Sequence, residues 1–572
     1  MTKYIPVILA LFIVCGSVVE PGLAAPPNAP PEAPGSALFD RRNRLELEET
    51  VRAMGGFTPV GNLAPERTPG ETPDMSDVVA QRFEFVGNRV FASSVLRDVV
   101  SQYVGQRMTP EVLDDVTGAV TDYYVDRGYI NAVVLPVLGK AGDAVELHVV
   151  ESDLTMVQVS GNSWLNTAYI TRRLGYRTGD RPVPLNVMDL ENRLALLRRN
   201  PRIESITATV GPGPRRGESA LYVKVREARP YQLSFTLNNY NPPGVGALRG
   251  ETRLSHINLS GIGDSLAMSY ALSEGANEYQ LTYTLPVGWR GTTLGVDLER
   301  EESTLVVPPF DELDVKSKTV TAGLTVKHPF YRDASHRLLL GIRGDHAYGK
   351  TRLLGQPYSF SQNVDYGKST VNTGRLLAEW TYSSSQRIAA AYTLLSTGAV
   401  ERRLEPDERF VSWLGQIWFM ERLESVGSVL VARADAQVSD NDLPPSEKFS
   451  IGGHASVRGY REHQMTTDCG VIASLEWRVA LGHLRVPGVN MEPDDGGFQL
   501  AFFCDYGKGW MKKGADPTPD EIFSVGIGFL WAVTDRTDFR LYWGKDLRDP
   551  EDPPDYDFQD EGVHFEFRTL AF

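Results

Sequence analysis

Two short stretches late in the chain carry the residue types best suited to one specific electrostatic contact. Residues 450–463 read S-I-G-G-H-A-S-V-R-G-Y-R-E-H. Gly452 and Gly453 release the chain from a strand, and Gly459 permits a tight turn beside Arg458, whose guanidinium then needs an acceptor. Further on, Phe503-Cys504-Asp505-Tyr506-Gly507 offers a carboxylate within an alternating strand, with Phe503, Asp505 and Gly507 on one face. Guanidinium and carboxylate pair through charge-assisted, bidentate hydrogen bonds, so the expected chemistry is anchoring.

The remaining motifs point away from catalysis, and neither an enzyme activity nor a cofactor is expected. Gly344-Asp345-His346-Ala347-Tyr348-Gly349-Lys350-Thr351 fits the expression of a phosphate-binding loop. A phosphate cradle needs a helix N-terminus after it, whereas Arg352-Leu353-Leu354-Gly355-Gln356-Pro357 follows, a turn-rich run. His454 and His463 flank the arginine turn without metal-ligand spacing, and no G-x-S-x-G elbow is present. Cys15 falls in the leader, so Cys469 and Cys504 remain, without a disulfide framework. Cys504, between two inward-facing residues, is expected to point out of the sheet. Asp494-Asp495 and the acidic run 549–560 read as solvated loops facing outward.

The element that must present Asp505 is a membrane strand. From Tyr231 onward, Leu233, Phe235 and Leu237 interleave with Gln232, Ser234, Thr236 and Asn238, the apolar-out, polar-in alternation of a transmembrane barrel. About sixteen such segments begin near residues 231, 248, 264, 278, 292, 318, 337, 370, 386, 409, 425, 469, 497, 521, 536 and 562. Eight of the nine tryptophans lie in this half, and Trp289, Trp413, Trp418, Trp531 and Trp543 are expected among the interfacial anchors. At the end, Leu570 and Phe572 have the opposite parity to Phe565 and Phe567, which a bulge near Arg568 would reconcile. A net charge of −15 and the lack of a basic stripe exclude nucleic acid as a partner. Mean hydropathy of −0.24 says nothing against a barrel, whose lipid face occupies only alternate residues.

Ahead of the barrel, residues 1–24 have the layout of a cleaved secretory signal. A very polar helix is predicted over 37–54, followed by a proline-punctuated linker. Gly87 and Gly161, Gly105 and Gly179, and Pro110 and Pro184 each lie 74 residues apart, and Val86-Gly87-Asn88 echoes Ser160-Gly161-Asn162. These offsets argue for a duplicated strand-helix-helix-strand-strand unit. In the first copy Val95, Leu96, Val99, Val100 and Tyr103 are expected on one buried helix face, and Thr109-Pro110 opens the second helix.

The motif Val457-Arg458-Gly459-Tyr460, followed by Phe503, Asp505 and Gly507, resembles the signature of the POTRA-barrel outer-membrane transporters. Two duplicated units place the chain beside the two-partner secretion (TpsB-type, ShlB/FhaC/HecB-like) branch. The resemblance implies α+β periplasmic POTRA domains followed by a transmembrane antiparallel β-barrel of about sixteen strands. Implied boundaries are a signal peptide at 1–24, a plug helix and linker at 25–80, POTRA domains at 81–152 and 153–229, and the barrel at 230–572. A loop near 450–467 would fold back into the lumen so that Arg458 meets Asp505, and Phe572 would be the terminal signal read by the barrel-assembly machinery. The implied function is secretion of a large unfolded exoprotein, a β-helical adhesin or haemolysin, with outer-membrane lipids and periplasmic chaperones as further partners. An assembly insertase of the same superfamily is the alternative, and a passive porin a lesser one.

Overall fold

The computed structural model describes residues 78–572 apart from 138–143, 177–182, 216, 289, 309–310, 334, 360–365, 402–407, 491, 493–494 and 549–555. The expected signal, the helix at 37–54, its linker and Trp289 lie outside the described residues. The chain divides into two compact units at Arg229.

The first unit uses one topology twice. Its first copy runs β1 (Arg82–Val86), α1 (Ser93–Val99), α2 (Pro110–Val125), β2 (Val133–Val137) and β3 (Ala144–Val150). The sheet order is β1-β3-β2, with β1 parallel to β3. The second copy runs β4 (Asp153–Ser160), α3 (Thr167–Arg173), β5 (Val183–Pro184), α4 (Val187–Arg198), β6 (Ile203–Pro212) and β7 (Glu218–Glu227). Here β4-β7-β6 repeats that order and β5 adds one short edge.

In α2, Thr109 caps the first turn by accepting the Val112 amide at 3.4 Å, and Pro110 holds the first helical position. Leu113, Val116, Val120 and Tyr124 then recur at helical spacing and bury against Phe83, Val145 and Leu147. Each fully buried side chain of this size contributes about 1.5–3 kcal/mol. Val95, expected on the buried face of α1, is exposed. Leu96 and Val100, one helical turn apart, take the core with Val99 and Tyr103 packed beside them, and Val95 falls at the edge of that face in the first turn.

The duplication reaches atomic detail. Gly87 and Gly161 both have positive φ, and a Cβ would lie 2.5 and 2.2 Å from the carbonyls of Val149 and Val225. Asn88 donates to the Phe91 carbonyl at 2.8 Å, and Asn162 donates to the Leu165 carbonyl at 2.8 Å. Glu151 accepts the amides of Arg89 and Val90, while Glu227 accepts those of Ser163, Trp164 and Leu165.

The second unit is a closed antiparallel barrel of sixteen strands, the number the alternation predicts. The first eight are β8 (Tyr231–Asn238), β9 (Arg249–His256), β10 (Ser265–Leu272), β11 (Ala276–Val287), β12 (Thr292–Thr304), β13 (Lys316–Arg332), β14 (His336–Leu353) and β16 (Lys368–Ser383). A short β15 (Gln356–Pro357) caps the β14–β16 hairpin. The rest are β17 (Arg387–Val400), β18 (Glu408–Leu423), β19 (Ser428–Ser439), β22 (Cys469–His483), β23 (Gly497–Trp510), β24 (Glu521–Ala532), β25 (Thr537–Asp546) and β26 (Val563–Leu570). Between β19 and β22, β20 (Phe449–Ile451) pairs only with β21 (Met465–Thr467). Closure of β26 on β8 leaves no unpaired edge, as a spanning sheet requires where water cannot satisfy backbone groups.

Residues 344–351 lie inside β14, so their amides bond neighbouring strands and form no phosphate cradle, in keeping with the rejection of that motif. Three local expectations change. Trp418 points into the lumen beside Met420 and Val431, because it shares the parity of Ser412 and Gln416. The β25–β26 register runs without a shift from Val563 to Thr569, so there is no bulge near Arg568. Leu570 simply takes the inward parity of His564 and Glu566 at the strand's end. Asp495 is buried, in the turn between β22 and β23 at the end where the chain enters the barrel, and it accepts the Glu492 amide.

Candidate functional site in the barrel lumen

The connection between β19 and β22 brings its β20–β21 hairpin and tip against the inner wall. Phe449, Ile451, Val457, Tyr460 and Met465 of the connection pack with Leu377, Tyr392, Leu394, Leu414, Ile472 and Ile522 of the strands. A lumen-facing apolar patch thus holds the base of a segment whose tip is charged.

At the tip, Asp505 accepts three hydrogen bonds from Arg458: from the backbone amide at 3.0 Å, from Nε at 2.8 Å and from Nη2 at 2.9 Å. Arg458 Nη1 binds Glu476, which also pairs with Arg478. Ser474 closes the ring by donating to Asp505 at 2.6 Å while accepting from Arg458 Nη2 at 3.2 Å. The guanidinium lies 3.7 Å above the Phe503 ring and 4.9 Å from that of Tyr542. Asp505 is 1 % exposed and Arg458 6 %. Arg458 and Asp505 are both buried and matched, an arrangement in which removing one partner strands the other charge, while Arg478 Nη1 at the edge of the network is buried without a partner.

The glycines set how closely the tip approaches. Gly459 has φ +94°, and its Cα sits against the backbone of β25 so closely that a Cβ on Gly544 would come within 2.8 Å of it. A Cβ on Gly507 would fall 2.3 Å from Ile451 and 2.8 Å from Val457. Val457 is fully buried. Tyr460 donates to the carbonyl of Phe523 or Arg548, each at 3.0 Å, and accepts the Arg548 amide at 3.1 Å. Phe572 lies away from this site, past the end of β26, edge-to-face with Tyr231 at 5.5 Å. Cys504 is partly exposed between inward-facing Phe503 and Asp505.

Several partners escape a reading of the chain in order. A second anchor ties the base of the connection to another part of the wall, on β16: Glu447 receives Arg375 at 2.7 and 2.9 Å. Arg375 continues to Asp345 at 2.9 Å, and Arg343 links Asp345 to Asp297 at 2.8 Å. The acidic run near the end is not simply solvated, since Asp560 holds Arg461 at 2.5 and 2.7 Å. Gln559, fully buried, accepts the Glu462 amide at 2.8 Å and donates to the carbonyls of Asn239 and Asn241. Polar and charged residues on inward parity, such as Ser474-x-Glu476-x-Arg478, are the sequence signal for the partners of Arg458 on β22. Gln559 and Glu447 carry none, because only the closed sheet brings them near.

A sixteen-stranded barrel with a charged loop seated in its lumen, following two strand-helix-helix-strand-strand units, defines an outer-membrane transporter of the POTRA-barrel class, with its POTRA domains in the periplasm. The chain belongs to the haemolysin secretion/activation protein family ShlB/FhaC/HecB, whose model matches residues 217–530, and residues 78–152 match the ShlB-type POTRA domain. It is thereby a two-partner secretion transporter. Among curated relatives, the outer membrane transporter CdiB of Dickeya dadantii is 22 % identical over 64 % of this chain and 66 % of its own length. The heme/hemopexin transporter protein HuxB of Haemophilus influenzae is 20 % identical over 68 % of this chain and 70 % of its own. The solved structure of CdiB from Escherichia coli shares the fold with a TM-score of 0.65, 18 % identity and coverage of 93 % of this chain and 98 % of that one.

Proposed function

We propose that this protein recognises one large unfolded partner exoprotein, of β-helical adhesin or haemolysin type, and passes it across the outer membrane. On this reading residues 1–24 are a cleaved leader, 25–80 a plug helix and linker, 81–152 and 153–229 two POTRA domains, and 230–572 the pore. Periplasmic chaperones and the assembly machinery deliver the barrel, with Phe572 as its terminal signal. No bond is made or broken in the cargo. Without ATP outside the inner membrane, direction comes from binding the unfolded chain and from its folding outside.

Recruitment by strand addition suits the first unit, because β2 and β6 are sheet edges and Val133 and Leu135 of β2 are exposed. Backbone pairing satisfies an extended cargo with little demand on its sequence. The Arg458–Asp505 seat holds the lumen loop in the state that accepts cargo. The three hydrogen bonds converging on one buried carboxylate carry this reading, and such charge-assisted contacts contribute on the order of 1–3 kcal/mol each.

The test is export of a candidate β-helical exoprotein co-expressed with this protein. Arg458→Ala is expected to insert as a heat-resistant barrel and to lower export at least about tenfold, the equivalent of losing about 1.4 kcal/mol. Wild-type export by that variant removes the assigned role. Depletion that lowers many unrelated barrels, with the exoprotein unaffected, would favour an assembly insertase.

A further inference from the structure

We propose that the outer wall of β12–β16 binds a phosphorylated glycolipid of the outer leaflet, its phosphates on a row of lysines and an acyl chain in a groove beneath them. Lys318, Lys350 and Lys368 lie directly opposite one another across β13, β14 and β16. All three are on lipid-facing parity with Leu324, Ile342 and Leu376, which are more than half exposed at 53, 57 and 57 %. Like charges in direct cross-strand register repel and destabilise a sheet. A row of three, with Arg352 in the next rung opposite Lys316, calls for an external anion.

The internal counter-charges are few. Lys318 meets Glu302 at 2.9 Å, but Glu302 is shared with Arg300 at 2.6 Å, and Lys316 meets Asp314 at 2.6 Å. Among the described residues, Lys350, Arg352 and Lys368 have no carboxylate partner, and Lys350 only leans over the Tyr348 ring.

The depth of the row selects a lipid. Strands β12 and β14 run away from the periplasmic end at which the chain enters, so Lys350 and Lys368 lie at the cell-surface end. Rings of His336, Trp380 and Tyr382 cluster at the other end. From His336 to Tyr348 the wall rises roughly 30 Å at ~3.3 Å per residue and a tilt near 40°, about the height of the hydrocarbon. The lysines stand one rung, roughly 5 Å, above Tyr348, where head-group phosphates lie. Below them on the same strands a groove of about 510 Å³ is lined by Val296, Leu298, Ala322, Leu324, Gly344 and Gly374, with His346 and Asn372, hydrogen-bonded to each other at 2.7 Å, at its lysine end. Gly344 and Gly374 face open space, so the floor is smooth and a side chain there would fill the groove without strain.

The full-length protein, purified in detergent and stripped of lipid, is titrated with bis-phosphorylated lipid A, with its dephosphorylated form and with inorganic phosphate, and bound lipid is read by native mass spectrometry. Lys318→Gln/Lys350→Gln/Lys368→Gln is expected to weaken lipid A binding on the order of a hundredfold, the worth of three surface lysines at an anionic interface. Gly344→Leu, which keeps every charge, is expected to weaken it about tenfold by occupying the acyl groove. Both variants change exposed side chains, and heat-modifiable migration checks that the barrel is intact. Unchanged lipid A binding by the lysine variant overturns the proposal. Equal binding of dephosphorylated lipid A, or displacement by inorganic phosphate, overturns it as well.

Discussion

At the scale of single residues the lumen seat is a matched set of charges whose fit is decided by what is absent from certain side chains. Arg458 has acceptors in Asp505, Glu476 and Ser474. The backbone of its neighbour Gly459 must come within van der Waals contact of β25, and only glycine at 544 leaves that room. Gly544→Ala is therefore expected to lift the tip off the wall while leaving every charge in place. The variant should lose export as Arg458→Ala does, and a cysteine near the tip should become reactive to a surface-added maleimide. Normal export with a protected tip would show that the close approach is dispensable. Arg458 and Asp505 were legible in the sequence because turn glycines and strand parity are local properties, and Tyr460 was marked only by the resemblance of the Val457–Tyr460 motif. Gln559 and Asp560 join the site only after the sheet has closed, so no local pattern pointed to them, whereas Glu476 shares its inward parity with Arg478 on the same strand.

At the scale of elements, the POTRA copies show what a repeat preserves. The paired glycines were visible as equal offsets, but the acidic residue that ends each copy was not, since Glu151 and Glu227 lie 76 apart, two residues more than the glycines. Glu227 gathers three amides of the loop after β4 at 2.9, 2.6 and 2.7 Å, so its loss leaves three donors unmet at once. Glu227→Ala is expected to destabilise the second copy by about 2–3 kcal/mol. Urea titration of the whole protein followed by emission of Trp164, which lies on that loop, measures it, and an unchanged midpoint would mean that water substitutes for the carboxylate.

At the scale of the whole molecule, the barrel is anchored to its own lumen loop at two parts of the wall, by Arg458 on Asp505 and by Arg375 on Glu447. The polar helix expected at 37–54 is proposed to fill the lumen beside that loop. Deleting 37–54 should raise conductance in planar bilayers by several-fold without altering strand content. Unchanged conductance would remove the plug from the proposal.

What the amino-acid sequence determined by itself follows from period and sign. Period-two alternation dictated sixteen spanning strands because lipid accepts only closed ladders with apolar faces, and paired offsets dictated two copies of one α+β unit. The inward face of Trp418 was readable from Ser412 and Gln416 on its own strand, whereas the unbroken register of β26 and the burial of Asp495 were decided by tertiary structure, since register and depth depend on neighbouring strands. So were the second anchor at Glu447 and the lysine row on the outer wall. Opposed residues such as Lys318, Lys350 and Lys368 are far apart along the chain, and only hydrogen-bonded registration of β13, β14 and β16 makes them neighbours.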